Sequence, residues 1–493
     1  RFSRTNEICK KAKCIGFVIC APFSKLFTVP PIFTIDCHLT IDSMPLKLAA
    51  FLSKPTDIAS LVFLRVGFGL LMFWEHCRYF WNNWIEEHYV RQEFHFKYEW
   101  FTWVEPLPEK GMYLVFTALA ICSLMIVFGW FYRWSMAVFF GLYLYVFLID
   151  QAYYNNHFYA ILILSFLMIF TPLHHGWSVD SWRGRVRHVE KLPALWLWLM
   201  RFPMSMVYVY GAFAKMQSDW LTGKATAALL GKGTEGTFLE PLMSLPETAI
   251  FYAWSGMLFD LFVPFGMLWK PTRIPMFLAA IFFHSHNYYV FPIGVFPPLS
   301  LTLTLLYFDP DFPRKLLPSG IKQKCRNSYF SSLKSSDSML DHLPRKILLG
   351  TLGIFVFVQL ILPFRHFLNP GWTLWHEEGH YFAWRMMLRQ KVIEIRYDLT
   401  HPVTKEIRYA PLEDYLNSSQ IRTFAGNPGM VLLFAHHLKD LVKKNAGFTP
   451  IVTAEILISL NGRPKMNLVD PLLNLADIDP YKPAYYWVTD VKP

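Results

Sequence analysis

Long apolar runs separated by short polar segments occupy most of the chain. Nine of them approach the roughly 20 residues that a helix needs to cross a bilayer. Pro292, Pro297 and Pro298 mark one run as a candidate for a broken or re-entrant segment. The pattern predicts a mainly α fold, a multi-pass helical membrane bundle of about nine spans, near residues 58–74, 112–131, 134–149, 158–173, 194–214, 248–269, 274–291, 292–308 and 346–363.

The polar stretches divide the chain into five regions. The first contains a basic patch and apolar pieces interrupted by proline, which predict neither a signal peptide nor a span. A serine-rich, basic stretch follows the eighth run and is typical of a linker. We predict an uncertain N-terminal segment 1–50, a transmembrane bundle 51–310, a cytoplasmic linker 311–345, a last span 346–363 and a small extramembrane α+β domain 364–493.

The C-terminal region changes periodicity. Apolar and polar residues alternate over 391–397 and again over 406–409, with His401-Pro402 between them, which predicts a β-hairpin. Residues 413–445 have a helical pattern and 452–460 a strand pattern. We therefore expect a compact domain that can cover one end of the bundle.

Composition supports the membrane interpretation. The 493 residues are 54% hydrophobic and 18% aromatic, which is unusual for a soluble protein of this size. The net charge of +11 arises from loops between apolar runs, so it reports topology and argues against nucleic acid as a partner. One set of alternate loops carries 15 Lys/Arg and 6 Asp/Glu, the other 7 and 12, which places the first set in the cytoplasm and residues 364–493 in a lumen or periplasm.

A lysine ends the fifth apolar run. At helical spacing Tyr208, Gly211, Ala212, Lys215 and Asp219 share one face, and the small residues allow a neighbouring helix to approach closely. Desolvation disfavours the charged ammonium, which is the condition for a lysine to act as a base. The alternatives are that Lys215 extends to the lipid headgroups or pairs with Asp219 one turn on.

A second polar cluster, Asp150 to His157, joins the third and fourth runs on the same side of the membrane. A histidine and a desolvated lysine at one end of a bundle are candidates for an acid/base pair. The alternative for the cluster is a polar turn at the membrane interface. Arg65 and Asp260 lie inside apolar runs, where we expect a buried ion pair.

His376-Glu-Glu-Gly-His380 matches the H-E-x-x-H pattern of zinc proteases, in which both histidines lie on one helix. Glu378 and Gly379 fit such a helix poorly. A structural or substrate-contacting loop is therefore the preferred interpretation, and we expect no metal. The seven cysteines show no metal-ligand spacing or disulfide framework.

Several motifs together resemble one family. They are Lys54-Pro-Thr-Asp57, Tyr154-Asn-Asn-His157, Trp177-Ser-Val-Asp180, Ala214-Lys-Met-Gln-Ser-Asp-Trp220, Phe283-His284, Phe291-Pro-Ile-Gly-Val-Phe296 and Trp384-Arg-Met-Met387. In this order they resemble the vitamin K-dependent γ-carboxylases and their bacterial relatives, which share a horizontally transferred transmembrane (HTTM) domain. The resemblance covers about residues 51–400.

The resemblance implies an enzyme and a set of site residues. By position Lys215 matches the family's catalytic lysine and His157 its active-site histidine. The lysine would deprotonate vitamin K hydroquinone, O2 would convert it to a base that removes a proton from a peptide glutamate, and CO2 would trap the carbanion as the quinone becomes its epoxide. Residues expected to contact quinone or substrate are Tyr154, Asn156, His284, Phe291, Phe296, Trp384, Met386 and Met387.

The same resemblance implies partners and a compartment. We expect a glutamate-containing protein or peptide substrate, a lipid bilayer and a quinone reductase that supplies hydroquinone, in the endoplasmic reticulum membrane of a eukaryote or the inner membrane of a bacterium. The vertebrate enzymes have a longer lumenal region and a lumenal disulfide for which Cys77 has no evident partner. The alternative function is therefore a quinone epoxidase, or a quinone- or lipid-binding membrane protein, without carboxylation.

Overall fold

The computed structural model describes residues 46–291, 293–316 and 345–491. Residues 1–45 of the predicted N-terminal segment, residues 317–344 of the predicted cytoplasmic linker, and Pro292 lie outside these ranges.

Helices form at all nine predicted apolar runs. Their bounds are α2 Ala59–Trp81, α3 Glu109–Phe128, α4 Tyr132–Ile149, α5 Asn156–Phe170, α7 Ala194–Lys215, α11 Pro246–Leu268, α12 Lys270–Val290, α13 Phe296–Thr304 and α15 Arg345–Ile361. Short helices connect them: α1 Leu46–Ser53, α6 Val179–Trp182, α8 Ser218–Leu221, α9 Lys224–Thr234, α10 Glu240–Met243 and α14 Phe312–Leu316.

The number of membrane crossings is not confirmed as nine. Among the described residues, five helices are long and apolar enough to cross a membrane: Ala59–Trp81, Glu109–Phe128, Tyr132–Ile149, Pro246–Leu268 and Lys346–Leu368. Asn156–Phe170 and Phe296–Tyr307 are apolar but shorter. At 1.5 Å per residue the nine residues of α13 cover only about 14 Å, less than a bilayer core.

Consecutive helices pack side by side. α2 contacts α3, α3 contacts α4, α4 contacts α5, and α7 lies between α5 and α11. Exposed tryptophans mark both ends of this bundle: Trp81 is the last residue of α2 and Trp100 and Trp103 lie between α2 and α3, whereas Trp130 and Trp134 lie at the α3–α4 turn. This arrangement is typical of the two interfaces of a membrane protein.

The C-terminal region forms the predicted α+β domain. Strands β3 Lys391–Thr400, β4 Ile407–Ala410, β5 Ile451–Leu460 and β6 Met466–Asn467 make an antiparallel sheet in the order β4-β3-β5-β6. The predicted hairpin and the strand at 452–460 are therefore confirmed. The predicted helical stretch forms α17 Ser418–Phe424 and α18 Pro428–Ala446, after the short α16 Thr373–His376.

The alternation along β5 explains how this domain holds together. Val452, Ala454, Ile456, Ile458 and Leu460 are all buried, one on every second residue. They belong to one apolar cluster with the buried face of α18. A separate strand pair, β1 Pro55–Asp57 with β2 Lys191–Pro193, joins the starts of α2 and α7.

Candidate functional site

Lys215 is the last residue of α7 and is buried within the protein. Its side chain belongs to a helix face on which Tyr208, Gly211 and Ala212 are also buried. The ammonium donates a hydrogen bond to Asp260 of α11. A β-carbon on Gly211 would come within 3.1 Å of that carboxylate. The glycine therefore lets Asp260 reach the lysine, as the small residues of the motif predicted.

The structure corrects two sequence-based pairings. Asp219 is not the partner of Lys215, because α7 ends before it and Asp219 lies on the separate helix α8. Asp219 accepts hydrogen bonds from both terminal nitrogens of Arg463, at 2.5 and 2.6 Å, and from Asn461 at 2.8 Å. The expected pair of Arg65 with Asp260 does not form, because Asp260 pairs with Lys215. Arg65, near the start of α2, donates to backbone carbonyls that include the carbonyl of Leu173 at 3.0 Å.

His157 and His284 both lie near one aromatic ring. The ring of Phe296 is centred 6.3 Å from the His157 ring and 6.1 Å from the His284 ring. Nε2 of His284 is 2.8 Å from the hydroxyl of Tyr208, two turns before Lys215 on α7. The Tyr208 contact thus links the histidines to the lysine helix.

The loop 381–387 of the C-terminal region lies against the bundle. The hydroxyl of Tyr154 accepts a hydrogen bond from the Phe382 amide at 2.7 Å and lies 3.1 Å from Oδ1 of Asn156, to which it donates. The Tyr154 ring stacks on Tyr381 at 4.3 Å. A β-carbon on Gly211 would lie 3.8 Å from the methyl carbon of Met386. The loop therefore reaches the lysine helix directly.

Backbone strain is concentrated in this loop. Phe382, Trp384 and Met387 all adopt positive φ values, between 56° and 58°. Each such conformation costs on the order of 1 kcal/mol for a non-glycine residue. The strain is maintained by packing: Trp384 is fully buried, with its ring 5.2 Å from that of Tyr159.

One of the expected quinone-contacting residues packs apart from the others. Phe291 lies against a small cluster formed by Leu230, Met243 and Val290. Met387 packs against an apolar cluster that includes Trp220, and the Lys215 ammonium lies 5.4 Å from the centre of the Trp220 ring. The structure therefore places Lys215, His157, Tyr154, Asn156, His284, Phe296, Trp384, Met386 and Met387 in connected parts of the fold, and Phe291 in a separate cluster.

Two buried ring nitrogens in this region lack a hydrogen-bond partner among the described residues. They are Nδ1 of His284 and Nε1 of Trp384. An unpaired buried donor costs about 1–3 kcal/mol, so such groups call for a ligand or water. Both can donate to the oxygens of a bound molecule.

The H-E-x-x-H segment does not have the zinc-protease geometry. α16 ends at His376, and Glu377 and Gly379 adopt φ values of 63° and 75°, so the two histidines do not share a helix. Glu377 instead forms ion pairs with Arg389 at 2.5 Å and Lys391 at 2.6 Å. Burial lowers the pKa of Lys391 to about 8, although the carboxylate of Glu377 opposes this shift.

Arg385 is a further buried cation that sequence reasoning did not single out. Its side chain is buried, and its Nε has no hydrogen-bond partner within the described ranges. It follows Trp384 and precedes Met386, so it belongs to the loop that covers the lysine. Its only sequence signal is a charge inside an aromatic and methionine-rich segment.

The fold and this arrangement define a multi-pass membrane protein whose extramembrane domain covers a buried lysine. The family model for the HTTM domain matches residues 53–312. The model described as "Vitamin K-dependent gamma-carboxylase, lumenal domain" matches residues 344–492. The chain therefore belongs to the vitamin K-dependent gamma-carboxylase family. No solved structure matches it.

Proposed function

We propose that this protein is a vitamin K hydroquinone-dependent γ-glutamyl carboxylase that couples carboxylation of a peptide glutamate to formation of vitamin K epoxide. The observation that carries the proposal is the buried Lys215–Asp260 pair beneath the loop 381–387, within a chain of this family. In the family's chemistry the deprotonated hydroquinone reacts with O2 to give the strong base, and CO2 then traps the glutamate carbanion.

Lys215 acts as the base for the hydroquinone. In its neutral form the amine takes the hydroxyl proton, so that an O–H bond breaks and an N–H bond forms. One proton leaves the resting ion pair before hydroquinone reacts, so that a neutral amine lies beside the Asp260 carboxylate, and this carboxylate compensates the positive charge when the lysine takes the hydroquinone proton. A buried site strengthens this exchange because no bulk water competes for the proton.

The histidines and the loop hold the quinone and exclude water. His284 and Trp384 supply the two unpaired ring donors for its oxygens. Phe296 and Met386 supply apolar surface next to His157 and Lys215 respectively. His157 exchanges a proton with the substrate, and the strained loop keeps Trp384 and Met386 in place.

Arg385 binds the carboxylate of the peptide glutamate. A guanidinium that is buried without a partner at Nε favours an incoming anion, because pairing removes part of its desolvation cost. The setting that we propose is the endoplasmic reticulum membrane of a eukaryote or the inner membrane of a bacterium, with the C-terminal domain on the lumenal or periplasmic side and a quinone reductase supplying hydroquinone.

The experiment is an assay of detergent-solubilised protein with vitamin K hydroquinone, O2, labelled bicarbonate and a glutamate peptide. Epoxide together with labelled peptide supports the proposal. Epoxide formation without labelled peptide would show a quinone epoxidase that does not carboxylate. If neither product forms but hydroquinone still binds, the protein would be a quinone-binding protein without this activity.

A further inference from the structure

The motif Trp177-Ser-Val-Asp180 lies outside the candidate site and attaches the segment that follows it to the α3–α4 turn. Its aspartate accepts hydrogen bonds from the backbone amides of Phe131 and Tyr132, each at 2.9 Å. The amide of the same aspartate donates to the carbonyl of Gly129 at 3.1 Å. The segment 183–191, which follows α6 and leads into β2, is therefore held beside this turn.

This segment lies at the end of the bundle opposite the C-terminal domain. Arg65, near the start of α2, donates to the carbonyl of Trp177 at 2.6 Å. The chain after α2 instead contacts the C-terminal domain, where Gln92 donates to the carbonyl of Tyr415 at 2.5 Å. Because the 23 residues of α2 cover about 35 Å, these two regions lie near opposite faces of a membrane. The segment 183–191 is thus on the side that the loop charges predict to be cytoplasmic.

Exposed aromatic rings place the segment at the level of the lipid headgroups. Trp130, at the α3–α4 turn, and Trp182, the last residue of α6, are both exposed. Exposed tryptophans at helix ends are typical of the membrane–water interface. The guanidinium of Arg183 lies 5.9 Å from the centre of the Trp130 ring, and that of Arg185 lies 3.8 Å from the centre of the Phe131 ring. The arginines of the segment are therefore close to this interface.

The segment has an excess of positive charge. Residues 183–191 contain three arginines and one lysine but one glutamate. Arg185 pairs with Asp180 at 3.3 Å. Arg183 and Arg187 are exposed and form no ion pair with any described residue. Clusters of about four or more basic residues beside the cytoplasmic end of a membrane helix are typical of segments that bind anionic lipids. A guanidinium also matches the geometry of a phosphate, with which it forms paired hydrogen bonds.

We propose that the segment 183–191 is a binding surface for anionic phospholipids of the cytoplasmic leaflet, with Arg183 and Arg187 pairing with headgroup phosphates. A lipid is the partner, because the exposed rings of Trp130 and Trp182 lie where a lipid presents its glycerol and upper acyl carbons beside its phosphate. The surface acts through binding alone, so it does not depend on the proposed function. It also explains the motif that precedes the segment, because the aspartate of that motif holds the arginines at the interface.

Three single substitutions in the full-length protein test this surface. Arg183→Gln and Arg187→Gln each remove one charge from the segment. Lys270→Gln is the control, because this exposed lysine follows the exposed Trp269 at the start of α12. All three side chains are exposed, so thermal unfolding of each variant should match that of the parent protein.

The control differs from the segment in its position around the bundle. Arg273, three residues after Lys270, pairs with Asp309 at 3.1 Å. The carbonyl of the next residue, Pro310, accepts a hydrogen bond at 3.0 Å from Ser60 at the start of α2. Lys270 therefore lies at the same end of the bundle as the segment. Its helix α12 packs mainly against α11 and α13, whereas the segment lies beside the α3–α4 turn.

Purified protein in detergent is titrated with phosphatidylglycerol and, separately, with phosphatidylcholine of the same acyl chains, and bound lipid is measured by native mass spectrometry. The parent protein should bind phosphatidylglycerol more tightly than phosphatidylcholine. Each arginine substitution should weaken phosphatidylglycerol binding about fivefold, the effect of one basic residue at a lipid surface, and leave phosphatidylcholine binding unchanged. Lys270→Gln should stay within about twofold of the parent protein, because it lies beside other helices and salt screens its charge.

Unchanged phosphatidylglycerol binding in both arginine variants would overturn the proposal. Equal weakening by all three substitutions would also overturn it, because that result would show diffuse attraction to basic residues instead of a binding surface. Displacement of bound phosphatidylglycerol by an equal concentration of inorganic phosphate would overturn the assignment of a lipid as the partner.

Discussion

Lys215 and Asp260 form an ion pair between α7 and α11, buried at the end of the bundle that the loop 381–387 covers. The pair joins Lys215, the last residue of α7, to Asp260, which lies well inside α11. A buried pair of this kind shares its proton more readily than an exposed one, since no water competes for it. This relationship is the basis of the assignment of Lys215 as a base.

Replacing Lys215 tests that assignment. Lys215→Ala should abolish epoxide formation, and Lys215→Arg should also fail, because a guanidinium does not release its proton at working pH. Lys224→Ala removes an exposed lysine on the neighbouring helix α9 and should leave turnover unchanged. Expression and detergent extraction of all three should match the parent protein. Near-native turnover in Lys215→Arg would show that another group is the base.

Replacing Asp260 should show whether its charge is needed. Asp260→Asn removes the negative charge that pairs with Lys215 at nearly constant size, so epoxide formation should fall at least tenfold. Asp260→Glu keeps the charge and should retain more of the parent rate. Epoxide formation at the parent rate in Asp260→Asn would separate this carboxylate from the lysine's function.

Asp219 and Arg463 attach the C-terminal domain to the lysine-bearing end of the bundle. The bond is bidentate and largely buried, with 3% exposure of the Asp219 side chain. Asp219→Asn should lower the free energy of unfolding by about 2 kcal/mol, and Arg463→Gln should add little further loss in the double variant. Thermal unfolding of the protein and limited proteolysis of its C-terminal domain would measure these losses of stability.

The matched control for this bond is an exposed pair in the same domain. The Arg408–Glu406 pair has side chains 78% and 58% exposed, and Glu406→Gln should leave unfolding unchanged. If Asp219→Asn behaves like this control, the bond does not hold the domain in place.

Replacing Arg385 should weaken binding of the peptide substrate and leave binding of hydroquinone nearly unchanged. Arg385→Gln removes the buried charge that we assign to the glutamate carboxylate, so KM for the peptide should rise at least tenfold while KM for hydroquinone stays within twofold. Arg396→Gln, on an exposed position of β3, is the control. Equal changes in both KM values would indicate that Arg385 supports the loop and does not select the peptide.

The apolar runs and the strand alternation of the sequence predicted the positions of nine helices and the hairpin, because these depend on local patterns. All nine apolar runs form helices, and the alternation over 391–397 forms β3. The number of membrane crossings could not be predicted in the same way, because α5 and α13 are shorter than a bilayer core. The length of an apolar run in the sequence does not determine where its helix ends.

Which side chains pair in the candidate site depends on where the helices end. Helical spacing placed Asp219 on the face of Lys215, but α7 ends at that lysine and the chain turns before α8. Asp260 then becomes the partner, a contact over 45 residues that no local pattern encodes. In the same way, the positive φ values of Glu377 and Gly379 break the apparent zinc motif.

The most direct test of the account follows two products of one reaction mixture. Purified full-length protein is given vitamin K hydroquinone, O2, labelled bicarbonate and a glutamate peptide, and epoxide and labelled peptide are measured for the parent protein and for Lys215→Ala. We predict both products from the parent protein, in a ratio near one, and neither from Lys215→Ala. Equal product formation by the two proteins, or labelled peptide without epoxide, would contradict the account.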